Sequence, residues 1–344
     1  MNNSPQKDSH MTKTSGLVIG LAAVLFSTPV MAQTSGLKVI DQFKIGGDGG
    51  WDYITLDPAA GKLYVAHGTS ISAFAMKAGQ ATPHLADAKG AHIALPVHSG
   101  ADLLVTHGKA DIVTINDANT GAVKATIKTD TKPDAAIIEP VTGKAFVMAN
   151  AGGAMDVIDL DTQTLSGRVA IGGAAEAAAV DGEGLVFSHL EDKNAFVVVD
   201  ARTLTLKATH VIKDCEEPSG IAFIPGQRLI LSACQNGIAR ISKADTGEEV
   251  ATVPVGPRPD AALYDATAKL GYVPSADGKL TVISFDGVPH VIDVVATKAS
   301  ARTATLDADT GRIYLPAADL GSVDAKTGRP TISPNSLVVI VVGR

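Results

Sequence analysis

Short apolar strands separated by polar turns recur along the whole chain. The marker stretch is KLYVAH at 62–67, and related stretches follow it: LLVTH at 103–107, LVFSH at 185–189, GYVPS at 271–275 and RIYLPA at 312–317. With the tyrosine of KLYVAH as the reference position, seven copies align, at Tyr64, Leu104, Phe146, Val186, Ile230, Tyr272 and Tyr314. The copies are 40 to 44 residues apart, which is a spacing typical of repeat architectures.

Each repeat carries four strand signals in a fixed order. An apolar strand such as YITLD at 53–57 comes first, and a turn rich in Asp, Pro and Gly leads into the marker strand. A third strand such as DIVTIND, a turn containing Thr and Gly, and a fourth strand such as VKATIK complete the unit. Alternation, β-branched residues and turn chemistry all favour strands. Seven units of four strands predict an all-β, seven-bladed β-propeller.

One segment has a helical propensity that conflicts with the repeat. AAEAAAV at 174–180 is rich in alanine, which is the strongest helix former. The repeat register places it at the first strand of the fourth copy, where innermost strands crowd around the axis and small side chains let blades approach closely. We therefore expect a strand here, because packing overrides propensity.

The two ends of the chain complete one blade. After the seventh marker strand, only one further apolar run remains, SLVVIVV at 336–342, so the last blade lacks a fourth strand. LKVIDQFKIG at 37–46 resembles the fourth strands of other copies. We expect the N-terminal strand to pair with 336–342 and close the ring, which removes an open sheet edge.

Composition narrows the classes of function. The chain has 344 residues, 45% of them apolar and 19% charged, and its net charge is −7. Binding to a phosphate backbone or an anionic membrane requires clustered Lys and Arg. Because the net charge of this chain is negative, nucleic acid is not an expected partner.

The first residues predict export. Lys13 precedes the apolar run 16–26, which is too short to span a bilayer, and Val30-Met31-Ala32 ends in the small residue that a signal peptidase needs. We expect residues 1–32 to be a cleaved signal peptide and residues 33–344 to be a single propeller domain without a membrane span. The mature protein would then be periplasmic in a Gram-negative cell, and a closed ring needs no partner, which favours a monomer.

The marker strands YVAH, LVTH, FVMA, VFSH, ILSA, YVPS and YLPA, each followed by a strand ending near Asp, resemble the YVTN repeat of YncE-like β-propeller proteins. The resemblance covers the whole mature chain and implies an exported propeller without one shared chemistry. The Asn of YVTN is replaced by His in three copies and by Ala or Ser in the other four.

Polar residues gather at one predicted face of the ring. In a blade, strand one runs down and strand two returns, so the start of the first and the end of the second share a face. The starts of strand one are Asp52, His92, Asp134, Glu176, Ser219, Asp260 and Arg302. The ends of strand two include His67, His107 and His189.

These side chains allow three interpretations. A pocket with Asp52, Asp134, Glu176, Asp260 and Arg302 could bind a small ligand or a protein loop. A metal site could use imidazoles, namely His67, His92, His107 and His189, which suit copper, zinc and other divalent ions. A purely structural ring is the third, because polar residues at strand ends often bond only to nearby backbone.

Cys215 and Cys234 lie at neighbouring strand ends of the fifth copy on the same face. In an oxidising compartment they favour a disulfide, although two metal-binding thiols are the alternative. Residues 318–334 form the longest segment between strands and also emerge on this face, as a lid or as an idle insertion.

Two classes of function follow. The first is a periplasmic binding propeller that holds a small molecule, a metal ion or a protein at the polar mouth. The second is an enzyme of the lactone-hydrolysing or copper-oxidising kind, in which a metal activates water or a redox substrate, an Asp or Glu acts as general base and Arg302 faces an anionic group. Nothing in the sequence dictates a reaction, because nucleophile-elbow, phosphate-loop and dinucleotide motifs are missing.

Overall fold

The computed structural model describes residues 1–6, 8, 10, 35–325, 328 and 330–344. The predicted signal peptide lies almost wholly outside these residues. The compact unit Gln33–Arg344 contains the thirty described strands. Within the described ranges, helical structure is limited to three short 3-10 turns, and none of it has the length and apolarity of a membrane span.

The strands form seven antiparallel sheets of four. The closing strand is β1 (Lys38–Lys44). Blade 1 contains β2 (Trp51–Asp57), β3 (Lys62–His67), β4 (Ser70–Ala75) and β5 (Gln80–Asp87). Blade 2 contains β6 (Ala91–Val97), β7 (Asp102–His107), β8 (Ile112–Asp117) and β9 (Val123–Lys128). Blade 3 contains β10 (Pro133–Glu139), β11 (Lys144–Ala149), β12 (Ala154–Asp159) and β13 (Thr164–Ala170).

The remaining blades repeat the pattern. Blade 4 contains β14 (Ala175–Val180), β15 (Leu185–Leu190), β16 (Ala195–Asp200) and β17 (Thr205–Val211). Blade 5 contains β18 (Pro218–Ile224), β19 (Leu229–Cys234), β20 (Ile238–Lys243) and β21 (Glu249–Pro254). Blade 6 contains β22 (Leu263–Asp265), β23 (Leu270–Ser275), β24 (Lys279–Ser284) and β25 (His290–Ala296). Blade 7 contains β26 (Thr305–Asp307), β27 (Arg312–Ala317), β30 (Val338–Gly343) and the closing strand β1. The hairpin of β28 (Leu320–Val323) and β29 (Pro330–Ile332) interrupts blade 7. The predicted seven-bladed propeller is confirmed.

The closing strand pairs as the sequence predicts. β1 lies antiparallel to β30, with Lys38 opposite Gly343 and Lys44 opposite Val338. Because β30 is buried along its whole length, an unpaired β30 would leave an apolar sheet edge open to other chains. Closure by the N-terminal strand is therefore confirmed.

The core lies between neighbouring blades and is tightest near the axis. Hydrophobic clusters join adjacent blades, such as the one in which Phe146 of blade 3 packs with Val197 of blade 4. The alanine-rich segment forms strand β14, as its place in the repeat predicts. The crowding of inner strands is visible at Gly220, where an added Cβ would lie 2.2 Å from the carbonyl carbon of Ala261. Small residues at these positions are therefore a packing requirement.

The register fixes which residues reach the polar face. Trp51 lies opposite His67 in blade 1 and Ala91 opposite His107 in blade 2, so strand-one starts and strand-two ends lie together. In blade 4 the pairing partner of Ala175 is Leu190. His189 is thus one residue short of the strand end, and its side chain is directed elsewhere, as described below.

Candidate functional site

Seven polar residues form a ring around the axis, one from each blade. Five lie near the start of the first strand of their blade, whereas Asp260 and Arg302 precede β22 and β26. Contacts between neighbouring blades connect much of this ring. His92 contacts both Asp52 and Asp134, and Asp260 contacts Arg302. The Thr303 hydroxyl donates to the carbonyl of Asp52, which links blade 7 to blade 1. We call Asp52, His92, Asp134, Glu176, Ser219, Asp260 and Arg302 the axial ring.

Three members of the axial ring form a compact group. His92 Nδ1–H donates to Asp52 Oδ2 at 2.6 Å, and the same nitrogen lies 3.3 Å from Asp134 Oδ1. These three residues come from blades 1, 2 and 3, and their potential ligand atoms all lie within 4.8 Å of one another. Asp134 is the deepest, with a side chain that is 4% exposed, whereas His92 is 21% exposed. The group therefore has a buried floor and an accessible side.

A second chain of contacts joins Asp134 to Glu176. Lys132 Nζ lies 3.8 Å from Asp134 Oδ2 and donates to Asn150 Oδ1 at 3.0 Å. Asn150 Nδ2 in turn donates to Glu176 Oε2 at 3.1 Å. Asn150 also lines a glycine-rich groove between blades 3 and 4, with a volume of about 560 Å³, that continues to Asp192 at the outer side. Asn150 thus connects Glu176 of the axial ring to a groove lined mainly by small residues.

The opposite side of the axial ring is formed by blades 5, 6 and 7. Arg302 lies 3.2 Å from Asp260, and the backbone N–H of Asp260 donates to the Arg302 carbonyl. The Ser219 hydroxyl donates to the carbonyl of Pro259 at 2.8 Å. The side-chain amide of Gln235 donates to the Ser219 hydroxyl oxygen and to the Pro259 carbonyl. Ser219 is therefore engaged in backbone contacts, while Arg302 keeps a 41% exposed side chain.

Tyr53 fills the axis beneath the ring. Its side chain packs against three hydrophobic clusters that belong to blades 2 to 5. A single side chain from blade 1 can reach all of these only from a position near the axis. Its hydroxyl is shielded from solvent and has no hydrogen-bond partner among the described residues. Tyr53 is therefore placed near the axis, next to the axial ring.

Burial and mutual repulsion shift the acids of the axial ring. Burial raises the pKa of Asp134 to about 7, although His92 opposes the shift. Burial raises the pKa of Asp260 to about 6 against the influence of Arg302, and it also raises the pKa of Glu176, with Asp134 adding to the shift. Burial lowers the pKa of His92, but the hydrogen bond that His92 donates to Asp52 and the charge of Asp134 outweigh it and leave the pKa raised. Burial likewise raises the pKa of the Tyr53 hydroxyl, and the nearby carboxylates add to this. A cation at the axial ring would favour the ionised forms of these carboxyl groups and lower their pKa values.

The other three histidines that the sequence proposed as metal ligands lie apart from His92. Each is buried and has its own hydroxyl partner: His67 with Ser72, His107 with Thr114 and His189 with Ser232. Within the described residues, none of the three belongs to a group that could hold a metal ion. Their positions in the blade direct the rings toward neighbouring strands, so the four imidazoles do not converge.

The structural role of these histidines is clearest at His189. Its Nδ1–H donates to the carbonyl of Ser219 at 3.2 Å and its Nε2 accepts from Ser232 at 2.8 Å, so it joins blade 4 to blade 5. Burial lowers its pKa to about 4. The backbone of Gly47, whose φ is +82°, packs closely against the imidazole of His67. An added Cβ at Gly47 would lie 2.8 Å from that ring. The histidines that end the marker strands act as polar cross-links.

The predicted disulfide is confirmed. Cys215 and Cys234 are bonded, with their Cα atoms 5.3 Å apart. Both are buried, and Cys234 lies opposite Pro218, next to Ser219 of the axial ring. The bond therefore fixes the connection between blades 4 and 5 beside the site, and disulfides are typical of oxidising compartments.

The described residues of the long segment 318–334 include a hairpin, an element that the sequence did not predict. Asn335, just beyond it, donates its backbone N–H to the Gly47 carbonyl and to Asp48, which ties the segment to the loop before blade 1. A Cβ at Gly50 would lie 3.5 Å from Ile332. The idea of a lid stays a prediction.

Sequence reasoning missed four polar residues around the site: Tyr53, Lys132, Asn150 and Gln235. Each lies within two residues of a position that was aligned, and Asn150 and Gln235 follow the end of strand two in blades 3 and 5. Reading one or two residues further along every repeat would have found them.

The comparisons with known proteins support the fold. No protein-family model matches the sequence, and no curated protein matches it. The chain is similar to one in the crystal structure of a mitotic checkpoint complex, with a TM-score of 0.71 and 15% identity, covering 96% of this chain and 99% of that one. It is also similar to a chain of hydrazine synthase from Kuenenia stuttgartiensis, with a TM-score of 0.67 and 15% identity, covering 90% of this chain and 99% of that one. At this identity the likeness establishes the β-propeller and leaves membership of the YVTN-repeat family as a prediction.

Proposed function

We propose that this chain is an exported propeller of the YVTN-repeat kind and that its axial ring binds a small, positively charged ligand in the periplasm. The disulfide supports an oxidising location, and the pattern of residues 1–32 supports export. A closed ring of blades is sufficient for a stable monomer, and a protein loop that carries a cationic side chain is one form such a ligand could take.

One observation carries the proposal. Four carboxyl groups from four blades meet at the axis, with Asp134 3% exposed and Asp260 8% exposed. The cationic groups that face them are Arg302, Lys132 and a protonated His92. Buried carboxylates normally have matched partners, and here the carboxyl groups outnumber the permanent cations two to one. A cationic ligand supplies the missing charge.

The test is a thermal-shift screen of the purified mature protein. The probes are primary amines, guanidines, quaternary ammonium compounds and divalent metal salts, with matched carboxylates and phosphates as anionic controls. A ligand present at 100 times its Kd should stabilise the native state by about 2.7 kcal/mol. We expect cationic probes alone to raise Tm.

Two variants locate the effect. Asp134→Asn removes one buried charge from the axial ring, whereas Asp87→Asn removes a charge from a side chain that is 92% exposed on blade 1. We expect the first to abolish the shift and the second to preserve it. A shift that survives in Asp134→Asn, or a wild-type protein that responds to no cationic probe, would overturn the proposal.

Hydrolysis at the same ring is the second candidate function. The observation that favours it is the pKa of Asp134, which at about 7 suits a general base or acid at neutral pH. The copper-oxidising alternative is less well supported, because His92 is the only imidazole in the axial ring. A panel of lactones and esters, assayed with wild type and Asp134→Asn, tests the hydrolytic role. Turnover that is lost in the variant supports it.

A further inference from the structure

We propose that Asp52, His92 and Asp134 form a binding site for one first-row divalent transition-metal ion, with its open coordination positions facing solvent. This inference rests on the proposed binding role of the axial ring and names the ligand of that ring. It also differs from the four-histidine site that the sequence suggested, since it uses one imidazole and two carboxylates.

The distances suit such an ion. His92 Nδ1 lies 2.6 Å from Asp52 Oδ2 and 3.3 Å from Asp134 Oδ1. Metal–nitrogen and metal–oxygen bonds of about 2.0 to 2.2 Å place neighbouring donor atoms about 2.8 to 3.1 Å apart at octahedral angles and about 3.3 to 3.6 Å apart at tetrahedral angles. The 3.3 Å contact already lies within the tetrahedral range, and the 2.6 Å contact must open by about 0.2 to 1 Å. All three donor atoms lie within 4.8 Å of one another, and the ion takes the place of the proton that His92 shares with Asp52.

Two further observations point to a missing partner. Asp134 Oδ1 is buried and accepts no hydrogen bond among the described residues, because the Nδ1–H of His92 is directed to Asp52. The Tyr53 hydroxyl is shielded as well, has no hydrogen-bond partner there and lies in the field of the axial carboxylates. An unsatisfied buried oxygen costs free energy, and an ion beside Asp134 would satisfy it.

The donor set selects the class of metal. Carboxylates alone suit magnesium, calcium and manganese, whereas an added imidazole favours the later first-row ions such as cobalt and zinc. Three protein ligands leave at least one position for water or a ligand group. His92 and Asp52 are each about one-fifth exposed, so that position can be reached from solvent.

The experiment uses tag-free mature protein that has been stripped with a chelator and titrated with Co²⁺ and Zn²⁺. Metal content is measured by mass spectrometry, and cobalt coordination by its visible absorption. We expect one ion per chain and a cobalt spectrum of low-symmetry nitrogen–oxygen coordination. His92→Ala should weaken binding by more than about 100-fold, since even changes outside the ligand shell cost 10- to 100-fold.

The matched control is His290→Ala, which removes an imidazole from an exposed position on β25. Its metal content should equal that of the wild type. If His92→Ala does not fold, as judged by its melting transition, Asp52→Asn provides the same test. Failure of the wild type to bind either ion, or binding that survives in the variants of Asp52 and His92, overturns the inference.

The outcome separates this inference from the proposed function. If no metal binds but organic cations still stabilise the wild type and not Asp134→Asn, the metal site is refuted and the cation-binding role stands. If neither metals nor organic cations bind, both are refuted.

Discussion

Acidification should weaken the contact between blades 4 and 5 through His189. The imidazole is fully buried, and burial lowers its pKa to about 4, whereas an unfolded chain has a histidine pKa of about 6.5. The unfolded state therefore takes up a proton first as the pH falls. The stabilising contribution of His189 is complete above pH 6.5 and is lost as the pH falls toward 4.

The size of the effect follows from the two pKa values. A difference of about 2.5 pKa units corresponds to about 3.4 kcal/mol in total, at 1.36 kcal/mol per unit. Between pH 7 and pH 5, linkage gives a loss of about 2 kcal/mol from this one residue. Other titrating groups also change over this range, so the effect must be isolated by comparison with a variant.

The assay is urea denaturation, followed by fluorescence, of wild type and His189→Asn at pH 7 and pH 5. The asparagine amide retains a donor for the Ser219 carbonyl but has no proton to gain. We expect the variant to be less stable at pH 7 and the difference from wild type to shrink by about 2 kcal/mol at pH 5. The control is Val197→Ala, which creates a cavity in the same blade without changing a titrating group. Its loss of stability relative to wild type should be equal at both pH values. A wild-type-to-His189→Asn difference that is the same at pH 7 and pH 5 would refute the reasoning.

Three further predictions concern the frame around the site. Replacing Cys215 and Cys234 by alanine should lower the free energy of unfolding by about 3 kcal/mol, because the bond closes a loop across a sequence separation of 19 residues. Calorimetry with and without reductant checks this, and a Tm unaffected by reductant would contradict it. Removing residues 33–46 should abolish the soluble monomer because it exposes the apolar edge of β30; light scattering and a melting curve measure this, and an undisturbed transition would count against it. Tyr53→Phe should stabilise the ligand-free protein by about 1 kcal/mol, because it removes a buried hydroxyl without a partner; a loss of stability in thermal melts would show that the hydroxyl is bonded.

The sequence was sufficient for the fold because a propeller repeats its information. The same strand order must fit all seven repeats. The helical propensity of 174–180 was therefore overridden, because the equivalent segment in each of the other six repeats is predicted to be a strand. Ring closure was predicted from the number of strands. The seventh blade lacked a fourth strand, and the N-terminal segment 37–46 resembled the fourth strands of other blades. The disulfide followed from the placement of two cysteines at neighbouring strand ends.

The site was predicted less completely, because the repeat fixes where a backbone position lies and not where its side chain points. His92 and Asp134 come together since both start inner strands, whose side chains face the axis. His67 and His107 end second strands, and the hydroxyls of Ser72 and Thr114 on the next strand hold their rings. A one-residue offset in blade 4 likewise moves His189 from the mouth into the interface between blades.

The closing strand has a consequence for the life of the chain during synthesis. β1 is made first but must wait about 300 residues for β30, which at 5–20 residues per second is about 15 to 60 s. Its sequence, KVIDQFK, carries three charged residues and stays largely exposed even when paired, while Phe43 stacks on Phe74 at 4.6 Å. The strand that stays unpaired the longest during synthesis, β1, thus has a charged and mostly exposed sequence. The apolar strand β30 is made only when β1 is already available to pair with it.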